Sequence, residues 1–271
     1  MPELPEVETT ARGIAPALEG RRITEVRVRE RRLRWRLPRG FEAALEGCWV
    51  KHVGRRAKYL LVETDAGTLI IHLGMSGSLR VLDAALPVRL HDHVDLVLDS
   101  GHCVRFNDPR RFGSMHFVTG DPLLHPLLRA LAPEPLSEAF DVDYLHARTR
   151  GRRVSIKQFL MTATQVVGVG NIYASEALFH ARIRPGRAAG RLTRVETDRL
   201  VQAVKTVLAA AIELGGTTLR DYVNAHGDPG YFRQKLYVYE REGEACRVCD
   251  APIRQRVQGQ RSTYWCPSCQ T

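Results

Sequence analysis

The spacing of apolar positions changes twice along the chain, and each change marks a new kind of structure. After Pro5-Glu6-Val7-Glu8 the apolar residues recur at helical intervals through Ile14, Ala17 and Leu18, then stop at Gly20. Proline in the first turn and acids at the positive end predict a helix that starts almost at residue 2. From Ile23 to about Val118 the period falls towards two, in segments 23–28, 59–62, 69–72, 93–98 and, after the turn Asp99-Ser-Gly101, 104–106. Short strands at this spacing predict a β-sandwich or barrel.

Past Pro133-Glu-Pro135 the helical period returns. It is clearest over 196–214, where Leu200, Val204, Val207, Leu208, Ala211 and Ile212 form one face, Thr193 and Glu196 read as a capping box, and Gly215-Gly216 ends the helix. Asp228-Pro-Gly230 predicts another turn, and from about Arg241 the chain becomes a short cysteine-rich ribbon. The pattern is α+β, with a strand-rich part first and a helical part second.

Composition adds a partner to this outline. The 271 residues carry 40 Lys and Arg against 30 Asp and Glu, a formal charge of +10, which favours a polyanion. Thirteen Lys and Arg lie between Arg21 and Lys58 against four acids, with Trp35 and Trp49 interleaved, as a phosphate-tracking surface requires; ordinary solvated strand faces account for many of them. No apolar run is long enough to span a membrane, and the N-terminus lacks the layout of a signal peptide, so a cytoplasmic protein is expected.

Cys246-x-x-Cys249 and Cys266-x-x-Cys269 place four thiolates at tetrahedral reach of one zinc ion. A segment this short cannot build a sufficient core alone, so the metal is expected to supply its folding energy. Four protein ligands leave no open position, which makes a structural rather than catalytic zinc the expectation. Arg254, Arg256, Arg261 and Tyr264 lie between the knuckles and suit a hairpin gripping phosphates, although Arg254 and Arg256 equally suit a solvated turn. Cys48 and Cys103 stand alone in apolar stretches and read as small buried hydrophobes.

Gln165-Val-Val-Gly-Val-Gly-Asn-Ile-Tyr173 reads as a glycine turn feeding a helix, with backbone amides and Asn171 available to a phosphate; a plain connector has the same pattern. Met1-Pro-Glu-Leu-Pro-Glu6 reads first as a helix cap. Removal of Met1 would leave Pro2 as a secondary amine able to attack a sugar's anomeric carbon, with Glu3 and Glu6 beside it for acid/base work.

Together with the ribbon, the motifs Met1-Pro-Glu-Leu-Pro-Glu-Val-Glu8, Arg55-Arg-Ala-Lys-Tyr59, His72-Leu-Gly-Met-Ser-Gly77, Asp108-Pro-Arg-Arg-Phe-Gly113 and Val167-Gly-Val-Gly-Asn-Ile-Tyr173 resemble the formamidopyrimidine-DNA glycosylase family over the whole chain. The resemblance implies an N-terminal β-sandwich (1–130), a helix-two-turn-helix module (131–236) and a zinc-ribbon hairpin (237–271), with duplex DNA clamped between domains by a monomer. It implies excision of oxidised purines without a nucleotide cofactor. Pro2 matches the Schiff-base nucleophile, Glu3 the acid/base, Lys58 and Arg261 the residues assisting the first and second eliminations. His91, Arg110, Arg153 and Asn171 match DNA contacts, and Met75, Arg110 and Phe112 the trio filling the gap left by a flipped nucleotide. Glu6 and Glu176 match residues that organise the site.

The loop from Gly215-Gly-Thr-Thr-Leu to Asp228-Pro-Gly-Tyr231 resembles the purine-lesion version, as does Arg110, against a pyrimidine-specific alternative in the same superfamily. One departure is Thr162, which stands where the family carries an acid, so the first turn of the module is expected to be capped differently. A non-catalytic zinc DNA-binding protein is the reading from another class, against which Pro2, Glu3 and Lys58 argue.

Overall fold

A computed structural model describes residues 2–217 and 232–271. The turn expected at Asp228, and the part of the expected purine-lesion loop beyond Thr217, lie outside the described residues. The chain divides into two compact units, Met1–Arg129 with Leu214–Tyr231, and Ala130–Glu213 with Phe232–Thr271.

The first unit opens on helix α1 (Leu4–Leu18), as the apolar spacing predicts. Its strands are β1 (Ile23–Val28), β2 (Val50–Arg56), β3 (Tyr59–Thr64), β4 (Thr68–His72), β5 (Ser78–Asp83), β6 (Asp92–Leu98), β7 (His102–Asn107) and β8 (Ser114–Val118), with a short helix α2 (Phe41–Leu45) between the first two. They form two antiparallel four-stranded sheets, ordered β1-β6-β7-β5 and β2-β3-β4-β8. Ile14 and Leu18 of α1, Phe41 of α2, Val62 and Ile71 of one sheet and Val94, Leu96 and Phe106 of the other meet in one buried core. Each large apolar side chain buried there contributes roughly 1.5–3 kcal/mol relative to exposure. Strand β6 is buried along its whole length because its second face is covered too: Asp95 accepts from Arg105 at 2.9 Å and from Arg29 at 2.6 Å. Cys48 and Cys103 are buried, as expected.

The second unit holds α3 (Val142–Thr149), α4 (Ile156–Leu160), α5 (Asn171–His180), α6 (Arg194–Glu213) and the hairpin β9 (Arg254–Gln258) and β10 (Arg261–Trp265). The capping box of α6 is present: Thr193 N donates to Glu196 at 2.8 Å, and Glu196 N donates to the Thr193 hydroxyl at 3.2 Å. The ribbon packs on α5, with Phe179, Val238, Cys246, Ile253 and Cys266 sharing a small core. After α4 the turn closes at Thr162, whose hydroxyl donates to Gln158 O at 2.9 Å and whose carbonyl accepts from Gln165 N at 2.8 Å and Val166 N at 3.0 Å. No helix among the described residues is long and apolar enough to cross a membrane.

Candidate active site

The first turn of α1 is held by its own acids. The Glu6 carboxylate accepts from Glu3 N at 2.8 Å, the Glu3 carboxylate receives the Glu6 amide in return, and Pro5 occupies the first turn. Pro2, Glu3 and Glu6 are all buried. Glu6 also accepts from Thr217 N at 2.8 Å, and Gly216, with φ +81°, lies so close that a Cβ there would stand 2.9 Å from the carboxylate. Bare backbone at 216 therefore lets the start of the first unit's second segment reach the N-terminal turn.

Strand register brings the other expected residues to the same end of the sheet. Glu8, one turn into α1, pairs with Arg55 at 2.7 Å, tying the helix start to the end of β2. Arg56 pairs with Tyr59, Tyr59 with His72 and His72 with Ser114, so the turn bearing Lys58, the turn bearing Met75 and the turn bearing Arg110 and Phe112 leave that end side by side. Gly74 (φ +68°) touches the backbone of Phe112 and Gly113; a Cβ would come within 2.5 Å of both. Asp108 fastens the same region, accepting from Ser76 at 3.0 Å and Gly113 N at 2.7 Å. Its carbonyl meets the His93 ring at 2.8 Å, and its N–H donates to His91 O at 3.0 Å.

Arg110 and Phe112 are exposed and Met75 half-buried, with the Arg110 guanidinium 4.8 Å from the Phe112 ring centre. His72 is driven down to about 4 by burial and by the nearby cations Lys58 and Arg34, so the ring is neutral at ordinary pH and its Nδ1 accepts from Gly74 N at 3.0 Å. Trp35 and Trp49 are surface residues at 41% and 48% exposure, consistent with the interleaved pattern. Several neighbouring arginines are committed to ion pairs instead: Arg29 with Asp95, Arg31 with Glu42 and Arg32 with Glu30.

In the second unit Asn171 is the first residue of α5, after Gly170. Sequence reasoning missed the residue that fixes it. Lys157 is 1% exposed, and its ammonium donates to Asn171 Oδ1 at 2.6 Å, Ser262 O at 2.9 Å and Thr263 Oγ1 at 2.8 Å. One buried cation thereby joins the α5 terminus to β10, the strand that begins at Arg261. Arg153 and Arg261 are exposed, and neither has a side-chain hydrogen bond or ion pair among the described residues. Glu176 is buried on α5 and accepts from the amides of Tyr237, Val238 and Tyr239 at 2.8–3.0 Å; burial pushes its carboxyl up against the pull of those three donors. Arg256 lies over Trp265 and against Gly186, so it packs within its own unit, while Tyr264 meets Tyr239 edge-on at 5.2 Å.

The sulfurs of Cys246, Cys249, Cys266 and Cys269 lie within 4.8 Å of one another, with separations of 3.4 Å and 3.9 Å among them. Tetrahedral thiolates at about 2.3 Å from zinc stand about 3.8 Å apart, so the cluster fits one structural zinc.

Pro2 ahead of the Glu3 helix cap, a two-sheet core, and a helical unit that carries a four-cysteine ribbon match a class of zinc-ribbon DNA repair glycosylases. Three family models match in order: the formamidopyrimidine-DNA glycosylase N-terminal domain over residues 1–115, its H2TH domain over 131–223, and the zinc finger found in FPG and IleRS over 243–271. The formamidopyrimidine-DNA glycosylase of Thioalkalivibrio sulfidiphilus is 60% identical over 100% of both chains, and that of Pseudomonas fluorescens 56%. Among solved structures, the MutM (Fpg) protein of Thermus thermophilus shares 42% identity at a TM-score of 0.89, covering 99% of this chain and 98% of that one. Lactococcus lactis Fpg in complex with abasic-site DNA shares 31% at 0.92, covering 99% of each. The chain belongs to the formamidopyrimidine-DNA glycosylase family.

Proposed function

We propose that the protein is a bifunctional DNA glycosylase and AP lyase of base excision repair that removes oxidised purines, 8-oxoguanine and formamidopyrimidines, from duplex DNA in the cytoplasm. The observation that carries this reading is the convergence, at one end of the second sheet, of the capped α1 terminus with the turns bearing Lys58, Met75 and Arg110. Similar proteins support the same chemistry: a Lactococcus lactis Fpg mutant has been crystallised with Fapy-dG DNA, and Lactococcus lactis Fpg with abasic-site DNA.

The Pro2 amine attacks C1′ of the damaged nucleotide, the C1′–N bond to the base breaks, and the secondary amine is left as an iminium on the opened sugar. Glu3, oriented by its reciprocal bonds with Glu6, handles the proton at the ring oxygen. Lys58 assists removal of the proton for the first elimination and Arg261 assists the second, which together cut the strand on both sides of the sugar. His91, Arg153 and Asn171 hold backbone phosphates, and Met75, Arg110 and Phe112 fill the space left by the flipped nucleotide. The zinc supplies no reaction step; it fixes the ribbon so that Arg261 is presented from a folded strand. We divide the chain into a catalytic part (1–130), a helix-two-turn-helix part (131–236) and a ribbon (237–271), acting as a monomer.

Borohydride trapping on duplexes carrying 8-oxoguanine or thymine glycol opposite cytosine or adenine tests this directly. A covalent complex that forms faster on 8-oxoguanine is expected. Preference for thymine glycol would move the chain to the pyrimidine-specific reading, and no trapped complex on any lesion would leave a DNA-binding protein without this chemistry.

A further inference from the structure

The first unit has a second cationic recess, away from the N-terminal turn. A cleft of about 280 Å3 opens between the start of β5, the loop ahead of β6 and the end of β7, lined among others by Ser78, Arg80, Arg89, Asn107 and Pro109. Arg80 donates through Nη2 to Asp92 at 3.0 Å, whereas its Nε is buried with no hydrogen-bond partner. Buried donors are nearly always paired, and this N–H would gain a partner from outside the chain if the Arg80 guanidinium, which lines the cleft, turned towards the opening. Arg89 is exposed, with no side-chain hydrogen bond or ion pair among the described residues.

The charge beneath the cleft leaves an excess of cations. Asp92 is buried under it and is shared by Arg80, by Arg105 at 3.6 Å, by Asn107 Nδ2 at 2.8 Å and by Arg89 N at 2.8 Å, while Asp95 is taken up by Arg29 and Arg105. Four arginines thus face Asp92 and Asp95, with Asp108 behind Ser76 as a third carboxylate, and the two arginines that line the opening are Arg80 and Arg89. A shallow recess lined by two arginines and two serines suits a tetrahedral oxyanion. Its position narrows the source. The lining residues Leu90 and Pro109 directly precede His91 and Arg110 in the chain, so a strand held at those two residues runs past the cleft mouth.

We propose that this cleft binds one backbone phosphate of the DNA, through the Arg80 guanidinium, Arg89 and the Ser78 hydroxyl, adding an anchor beyond the contacts expected of His91 and Arg110. The inference rests on the reading of the chain as a DNA glycosylase.

The test uses full-length zinc-loaded protein and a duplex bearing an uncleavable abasic-site analogue. Affinity is measured across a salt series for wild type, Arg89→Ala and Ser78→Ala, then repeated with single neutral methylphosphonates placed in turn along both strands. Losing one phosphate contact should lower the slope of log K against log salt by about one in Arg89→Ala. One methylphosphonate position should weaken wild type several-fold yet leave Arg89→Ala unaffected, and Ser78→Ala should show the same coupling more weakly. An unchanged slope, with every position weakening variant and wild type alike, overturns the proposal. Saturable binding of inorganic phosphate that Arg89→Ala abolishes while the DNA slope stays unchanged also overturns it, in favour of a free-anion site. If wild type shows no preference for the abasic-analogue duplex over undamaged duplex, the glycosylase reading itself has failed, which is a different result from a failed cleft.

Discussion

Lys157 and Asn171 form a 2.6 Å charge-assisted hydrogen bond in which the ammonium holds Oδ1, so the amide presents Nδ2, which donates to the Tyr239 hydroxyl at 3.4 Å and keeps a second N–H. That orientation is the useful one, because a phosphate needs a donor. The same ammonium reaches β10 through Ser262 and Thr263, so the α5 terminus and the ribbon strand share one fixed point.

Replacing Lys157 by methionine keeps the bulk and removes all three bonds. A hydrogen bond to a charged group is worth about 1.5–3 kcal/mol, which corresponds to roughly ten-fold or more in DNA affinity. The expected outcome is weaker binding and a lower melting temperature with zinc still at one per chain. Unaltered affinity together with unaltered melting would show that neither Asn171 nor the ribbon depends on this lysine.

The reason sequence reading passed over Lys157 is physical. In Ile156-Lys-Gln-Phe-Leu160 a lone lysine in a helical turn looks like a solvated charge, and only the fold reveals that its partners lie 14 and more than 100 residues away. Helix α5 was legible only from its glycine turn: all eight residues from Ile172 to Phe179 are buried, so no polar face gives it a period. Strand β2 hid for the opposite reason, since only Val50 and Val53 of its seven residues are buried, and α2 is too short to show a helical repeat. By contrast α1, β1 and α6 each bury one face and leave the other wet, and their bounds follow the pattern closely. The four cysteines were legible because metal geometry constrains spacing along the chain. The convergence of the Lys58, Met75 and Arg110 turns was not, because strand register sets it.

Acid should loosen the Met75 turn through His72. The ring's folded value of about 4 lies below its ordinary 6.5, so the folded state binds fewer protons between those limits. The stabilisation is complete above about pH 6.5 and is lost as pH falls towards 4; the shift corresponds to at most about 3 kcal/mol. Protonating Nδ1 would also set it against the Gly74 N–H that donates to it. Melting temperature followed from pH 7 to pH 4 should fall more steeply for wild type than for His72→Gln. Parallel curves would remove His72 as the source.

Zinc removal should act on binding before chemistry. Wild type is expected to hold one zinc per chain, and Cys249→Ser should lose metal, loosen the ribbon and weaken DNA binding, because zinc contributes on the order of 10 kcal/mol to folding such small segments. Metal content and duplex titration check this together. Two zinc ions per chain, or full activity with none, would contradict a single structural site.

A chain that keeps Met1 or an N-terminal tag should bind abasic-analogue DNA yet neither excise nor cut, since acylating the Pro2 nitrogen removes its nucleophilic lone pair. Glu3 N already donates to Glu6, so the peptide segment that follows Pro2 is held in place. Mass spectrometry of the N-terminus, read beside the strand-cleavage assay, decides the point. Full cleavage by a uniformly blocked chain would sink the assignment of Pro2.

Arg110→Ala should harm lesion extraction and opposite-base choice more than general DNA affinity. The guanidinium is exposed, without an ion pair or hydrogen bond among the described residues, and it rests 4.8 Å from the Phe112 ring, which stands on the turn that Gly74 touches. A flipped nucleotide leaves a hole whose unstacking costs a few kcal/mol, and Phe112 and Met75 are apolar enough to wedge the neighbouring bases apart. Arginine in the same place offers donors to cytosine's acceptors, whereas adenine presents no matching pair in that orientation. A good base-edge contact is worth about 1–3 kcal/mol, so the preference for cytosine over adenine should fall by roughly ten-fold or more. Excision of 8-oxoguanine opposite each base, in wild type and variant at one fixed salt concentration, measures it. If the ratio between the two duplexes holds while binding drops uniformly, Arg110 is a phosphate anchor, and opposite-base choice must come from another residue.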